Sequence, residues 1–139
     1  VRPEVPDVEL EIPSRSAYVA VVRLALASLA RARGLDEEIV DDIRIAASEA
    51  CANAVMANEA ADVAAPVSVT WSERPDAFVL EVSDRGEVRG PAEAGEVDSH
   101  GFSTRSLMSY ALVDTLADES AIVARVGGGS TTRLVFRRS

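Results

Sequence analysis

Apolar and polar residues alternate strictly along Val8-Glu9-Leu10-Glu11-Ile12, the pattern of a strand with one buried face, and Pro13 ends it. The residues before it, 1–7, contain Pro3 and Pro6 and read as a frayed start. From about residue 16 to 33 an apolar-rich run without Gly or Pro predicts a first helix, interrupted by Arg23 and stopped by Gly34. Asp36 then reads as the N-cap of a second helix, with Glu37 and Glu38 in its first turn, running to about Asn58. Its buried stripe is expected at Ile39, Ile43, Ala46, Ala47, Ala50 and Ala54, and so many alanines allow close approach to a neighbouring layer.

Period-two alternation returns at 67–72, with Val67, Val69 and Trp71 on one face, and a second strand is predicted over 77–83. Glu73-Arg74-Pro75-Asp76 supplies the turn between them. Residues 87–100 hold Gly90, Pro91, Gly95 and several acids without a sustained period, and read as a long loop of the kind used for lids. A third helix follows over about 103–116, with Leu107, Met108, Ala111 and Leu112 on one side. Strands over 121–126 and 131–137 close the chain around Gly127-Gly128-Gly129. The order strand, two helices, two strands, helix, two strands predicts a two-layer α/β sandwich of the α+β kind, a largely antiparallel sheet with helices on one face.

Length adds little to this picture beyond one domain over the 139 residues, with a hydrophobic fraction of 47% that is ample for a core. Charge changes it more. The net charge of −9, from 14 basic and 23 acidic residues, argues against general nucleic-acid binding, which needs a basic face. Every basic residue is arginine, suited to bidentate pairing with carboxylate or phosphate. No run is long and apolar enough for a membrane span, and no leader pattern opens the chain, so a cytoplasmic protein is expected. The single cysteine, Cys51, excludes an internal disulfide and reads as a buried structural thiol.

Candidate chemistry concentrates in two places. Glu49 and Asn53, four residues apart in an apolar helical run, share one helical face. An amide oxygen is a hard neutral ligand suited to Mg²⁺, and a carboxylate one turn away can orient or deprotonate a nucleophile beside it. An exposed polar pair on an amphipathic helix would show the same spacing. At the end of the 77–83 strand, Asp84-Arg85-Gly86 sets a carboxylate that can accept from an exocyclic amine next to a glycine that lets backbone approach a flat ligand; an ordinary Asp-x-Gly turn is the alternative. There is no Walker loop, no Gly-x-Gly-x-x-Gly after a strand and no zinc-ligand cluster, and the lone His100 reads as an exposed loop residue.

In order and spacing, residues 42–54, Asp84-Arg85-Gly86, Leu112-Val113-Asp114 and Gly129-Ser130-Thr131-Thr132-Arg133-Leu134 resemble the anti-sigma-factor serine kinases of the GHKL ATPase superfamily. The resemblance takes in nearly the whole chain and implies the Bergerat ATP-binding fold. It implies Asn53 as the Mg²⁺ ligand, Glu49 as general base, Asp84 on the adenine amine, Gly86 lining the base pocket and Thr131 supporting the adenine from the other side. It further implies a sigma factor and an anti-anti-sigma protein as partners, a homodimer, and Arg23 of the first helix as a partner contact; a snorkelling, solvent-facing arginine is the plainer reading of that residue.

The chain departs from the family at Val88, where a second glycine is usual, and over Gly101 to Ser106, where the second glycine box keeps Gly101 alone. A short acidic lid with Glu87, Glu93, Glu96 and Asp98 would repel a triphosphate. These departures support an alternative, a non-catalytic anti-sigma module with a degenerate nucleotide site. A histidine-kinase catalytic domain shares the fold but needs an acceptor histidine on a dimerisation helix, and these 139 residues supply none.

Overall fold

The computed structural model describes residues 5–86 and 101–138, apart from the side chains of 101–107. The predicted loop over 87–100, with Val88, the acidic residues and His100, lies outside the described residues. Five strands, β1 (Val8–Ile12), β2 (Val67–Glu73), β3 (Ala77–Ser83), β4 (Glu119–Ala124) and β5 (Ser130–Arg137), form one sheet in the order β1-β2-β3-β5-β4. Every pairing is antiparallel, where a largely antiparallel, mixed sheet is expected from the sequence.

Register explains which face is buried. Leu10 lies opposite Val69, Val69 opposite Val82, and Val82 opposite Thr132, while Trp71 pairs with Leu80 and Leu80 with Leu134. Directly paired residues share a face, so these rows form one apolar surface beneath the helices. Trp71 and Phe78 stack on it with ring centroids 4.9 Å apart, and the Arg138 guanidinium lies 4.5 Å from the Phe78 ring. Asp7, at the end of the segment expected to fray, is tied down. Its N–H donates to the Trp71 carbonyl at 2.9 Å and its carboxylate accepts from the Glu73 N–H at 2.7 Å.

The first helical run divides into a short 3₁₀ turn, Ser16–Tyr18, and α1, Val19–Ala32. Gly34, at φ +75°, ends α1 with paired bonds: its N–H reaches the Arg31 carbonyl and the Leu35 N–H reaches the Ala30 carbonyl, leaving Leu35 folded back on the core. Asp36 occupies the N-cap of α2 (Glu37–Ala60) with extended backbone, but its side chain makes no capping bond. Glu37 instead joins Arg31 across the interhelical turn at 3.0 Å. Ile43, Ala46, Ala47, Ala50 and Ala54 are buried as expected; Val40 takes the place of Ile39, which is half-buried, and Cys51 sits deep in the same face. Burial pushes its thiol up to about 12.

The third helix, α3 (Gly101–Leu116), overturns its expected face. Met108 is 69% exposed and Leu112 is exposed, whereas Ser109, Val113 and Ala117 are buried. Two apolar stripes run along this helix and either would serve as a core face. The one containing Ser109 turns inward, where that serine meets polar partners on α2. β4 begins two residues earlier than its pattern predicts, and Val126 is fully exposed in the turn beyond it. Apolar side chains also remain exposed on the outer surface of α1 and its neighbour α2, namely Val21, Leu24 and Ile45. Among the described residues no helix is long and apolar enough to cross a membrane.

Candidate functional site

Glu49 and Asn53 share the face of α2 that meets α3, as four-residue spacing requires. Ser109 of α3 joins them. Its hydroxyl donates to Glu49 Oε2 at 2.9 Å and accepts from Asn53 Nδ2 at 2.8 Å. Ser109 is 8% exposed, while Glu49 and Asn53 are half-buried. The pair is therefore part of a three-residue polar junction between two helices, and the reading of an exposed pair on an amphipathic helix does not hold. Sequence reasoning passed over Ser109 because nothing local distinguishes one serine of an apolar helix from another.

A second cluster closes the C-terminal end of β3. Asp84 is 5% exposed; its Oδ1 accepts from the Gly86 N–H at 2.9 Å and its Oδ2 from the Ser130 hydroxyl at 3.1 Å. Burial raises its carboxyl above the ordinary aspartate value, against the opposing pull of those hydrogen bonds and of Arg125. The backbone around it is fixed as well. Arg125 donates to the Asp84 carbonyl at 2.9 Å, and Asn58 Oδ1 accepts from the Arg85 N–H at 2.8 Å. Asn58, fully buried, also donates to Ser14 Oγ and to the Ala65 carbonyl, so one amide ties three separate segments together.

The glycines here answer to packing. A Cβ on Gly86 would collide with the Ala57 carbonyl of α2, so it is helix backbone, seated against this turn, that demands glycine. Gly129, at φ +91°, presses on the Asp84 carbonyl in the same way from the β4–β5 turn.

The remaining predicted site residues fall in different places. Thr131 lies on the opposite face of the sheet, where its hydroxyl pairs with that of Ser83 at 2.8 Å. The β5 hydroxyl that reaches Asp84 is Ser130, and Thr132, two residues on, faces the helices. Thr132 lines a cavity of about 450 Å³ between α3 and the β4–β5 strands, together with Tyr110, Asp114 and Ile122. Arg23 is half-buried and its guanidinium turns onto α2, 3.4 Å from the Ser48 hydroxyl. Gly101 is the first residue of α3, where helix N–H groups lack internal partners.

A divalent ion fits the Asn53 end of this arrangement. With Nδ2 engaged by Ser109, Oδ1 accepts no hydrogen bond among the described residues and remains a hard neutral donor. Among the described residues no group of three His, Cys, Asp or Glu side chains converges to hold a metal. Such an ion would therefore draw most of its ligands from phosphate and water, as Mg²⁺ does.

Comparison with known proteins agrees with this layout. Serine-protein kinase RsbW of Bacillus licheniformis is 35% identical over 80 residues, and that of Bacillus subtilis (strain 168) is 32% identical over 80 residues. The match covers 58% of this chain, and the chain spans about half the length (50%) of these curated relatives. The fold is similar to that in the crystal structure of the RsbU and RsbW domains of Rv1364c from Mycobacterium tuberculosis, with a TM-score of 0.71 at 23% identity over 99% of this chain and 34% of that one. A TM-score of 0.59 at 12% identity relates it to the SiaB-SiaC complex structure from Pseudomonas aeruginosa, over 94% of this chain and 89% of that one. The model of the histidine kinase-like ATPase domain matches residues 12–136, from the end of β1 to the end of β5, and the chain belongs to that family.

Proposed function

We propose that this protein is an ATP-dependent protein serine/threonine kinase that also acts as an anti-sigma factor, sequestering a sigma factor and phosphorylating an anti-anti-sigma partner. The observation that carries the catalytic part is the α2–α3 junction. It presents a carboxylate and a free amide oxygen one helical turn apart, on side chains both tied to the Ser109 hydroxyl.

In this reading Asp84 takes the exocyclic amine of adenine, and Ser130 and Gly86 hold its carboxylate in place. Gly101 opens the helix whose first N–H groups face the phosphates. Asn53 Oδ1 is the protein ligand to Mg²⁺, which when bound neutralises charge on the triphosphate. Glu49 acts as general base: a serine or threonine hydroxyl of the partner attacks the γ-phosphorus, its proton passes to Glu49, and ADP leaves. Arg23 lies too close to α2 to project freely, so its part in partner binding would require it to leave Ser48. The exposed apolar residues Val21 and Leu24 of α1 and Ile45 of α2 are the surface proposed for a homodimer.

Calorimetric titration of ATP with and without Mg²⁺, on the natural chain and on Asn53→Ala, tests the site. Mg²⁺-dependent binding that disappears in the variant is the expected result. Absence of binding in the natural chain would favour the nucleotide-independent anti-sigma module.

A further inference from the structure

Among the described residues Ser109 is the one side chain that hydrogen-bonds both Glu49 and Asn53, and it reaches them from a different helix, 60 and 56 residues along the chain. The direction of its bonds follows from chemistry. An ionised carboxylate only accepts, so the single hydroxyl proton of Ser109 goes to Glu49. Its oxygen can then only accept from Asn53, and of the two ends of that amide only the NH₂ group donates. The Asn53 Oδ1 is thereby turned away from Ser109. A carboxylate on one turn of α2 thus dictates, through a hydroxyl on α3, which way an amide points one turn later.

The geometry points to Ser109 as a positioning residue that fixes the orientation of the Asn53 amide and so presents Oδ1 to the metal of a bound nucleotide. This inference rests on the nucleotide site proposed above. Its logic is that of the groups behind metal ligands in general, whose hydrogen bonds select one orientation of the ligand before the ion arrives. The burial of Ser109 strengthens the effect, because little water reaches the junction to compete for either bond.

Two measurements on the full chain test it, with Ser109→Ala removing the hydroxyl and Ser109→Thr restoring it. The first needs no ligand: in the nucleotide-free protein, the Asn53 side-chain NH₂ signals in NMR are expected to be slowed in solvent exchange. Ser109→Ala should release them and Ser109→Thr should not. The second is ATP calorimetry across a series of Mg²⁺ concentrations. Ser109→Ala is expected to raise the Mg²⁺ needed for half-maximal binding by roughly tenfold, the scale of losing a group behind a metal ligand, with Ser109→Thr near the natural chain.

An unchanged Mg²⁺ requirement in Ser109→Ala overturns the inference while leaving the nucleotide site intact. So does an equal weakening with and without Mg²⁺, which would mark a merely structural contact. A natural chain whose ATP binding ignores Mg²⁺ overturns the inference together with the reading on which it rests.

Discussion

The two ends of the candidate site are built on different principles. Around Asp84 the constraint is backbone and burial: two glycines in close approach, a buried asparagine joining three segments, and an arginine on the main-chain carbonyl. Around Glu49 and Asn53 the constraint is three side chains reaching across a helix–helix contact, two of them half-buried. The first arrangement is rigid, fixed by buried and backbone groups whose loss the fold feels directly. The second depends on single hydrogen bonds and can rearrange by rotating a side chain. On the function proposed above, the rigid end would hold the flat base and the adjustable end the phosphates that change during reaction.

Substitutions should expose this asymmetry as a contrast between stability and binding. Gly86→Val is expected to have the largest effect, because its side chain must displace the Ala57 backbone of α2. Strain of this kind costs about 3 kcal/mol or more, beyond the usual range for overpacking, and chemical denaturation would read it as a marked fall in midpoint. Asn58→Ala removes three hydrogen bonds at once and leaves the Arg85 N–H and the Ala65 carbonyl without this partner. A loss of about 2–3 kcal/mol in the same measurement is expected. At the other end, Glu49→Gln should change stability by less than about 1 kcal/mol, since a glutamine oxygen still accepts from Ser109, while phosphoryl transfer to the partner falls at least about a hundredfold. Stability and transfer measured on the same preparation would separate the two ends. A Glu49→Gln protein that loses stability as Asn58→Ala does would erase the contrast.

The smallest effect is a pH dependence. Burial raises the Asp84 carboxyl, so the folded protein holds that proton more tightly than the unfolded chain does. The associated stability is fully present below the ordinary aspartate value and is lost as pH rises through the raised folded value. Asp84→Asn has no such loss. Its melting temperature relative to the natural chain should therefore rise between about pH 3 and pH 7; a constant difference would show that the hydrogen bonds from Gly86 and Ser130 cancel burial, and a falling one that they outweigh it.

Much of this was legible from residue order alone. Strict alternation placed β1, β2 and β3, and the alanine stripe identified the inner face of α2. The spacing of Glu49 and Asn53 and the strand-end position of Asp84 pointed to both polar clusters of the candidate site. What escaped was long-range. Two apolar stripes on α3 compete, and the one that turns inward packs on α2, some sixty residues away. Ser109 had no local mark for the same reason. At β5 the error was one of phase: Ser130, Thr131 and Thr132 all carry hydroxyls, and a one-residue change of register exchanges the face toward Asp84 for the face toward Ser83. Gly86 was singled out for a flat ligand, and the packing reason for it, the backbone of α2, is long-range as well.

Cys51 gives the molecule a built-in clock. It is the only thiol in the chain, lies on the inner face of α2 between Glu49 and Asn53 in sequence, and is wholly buried. With burial pushing its thiol well above the ordinary cysteine value, almost none of the folded protein carries the reactive thiolate at pH 8. Alkylation can therefore proceed only through openings that expose the inner face of α2, and its rate counts them. A ligand that binds at Asn53 and Asp84 spans that same helix and the strand end beneath it, so it should slow the clock without touching the sulfur.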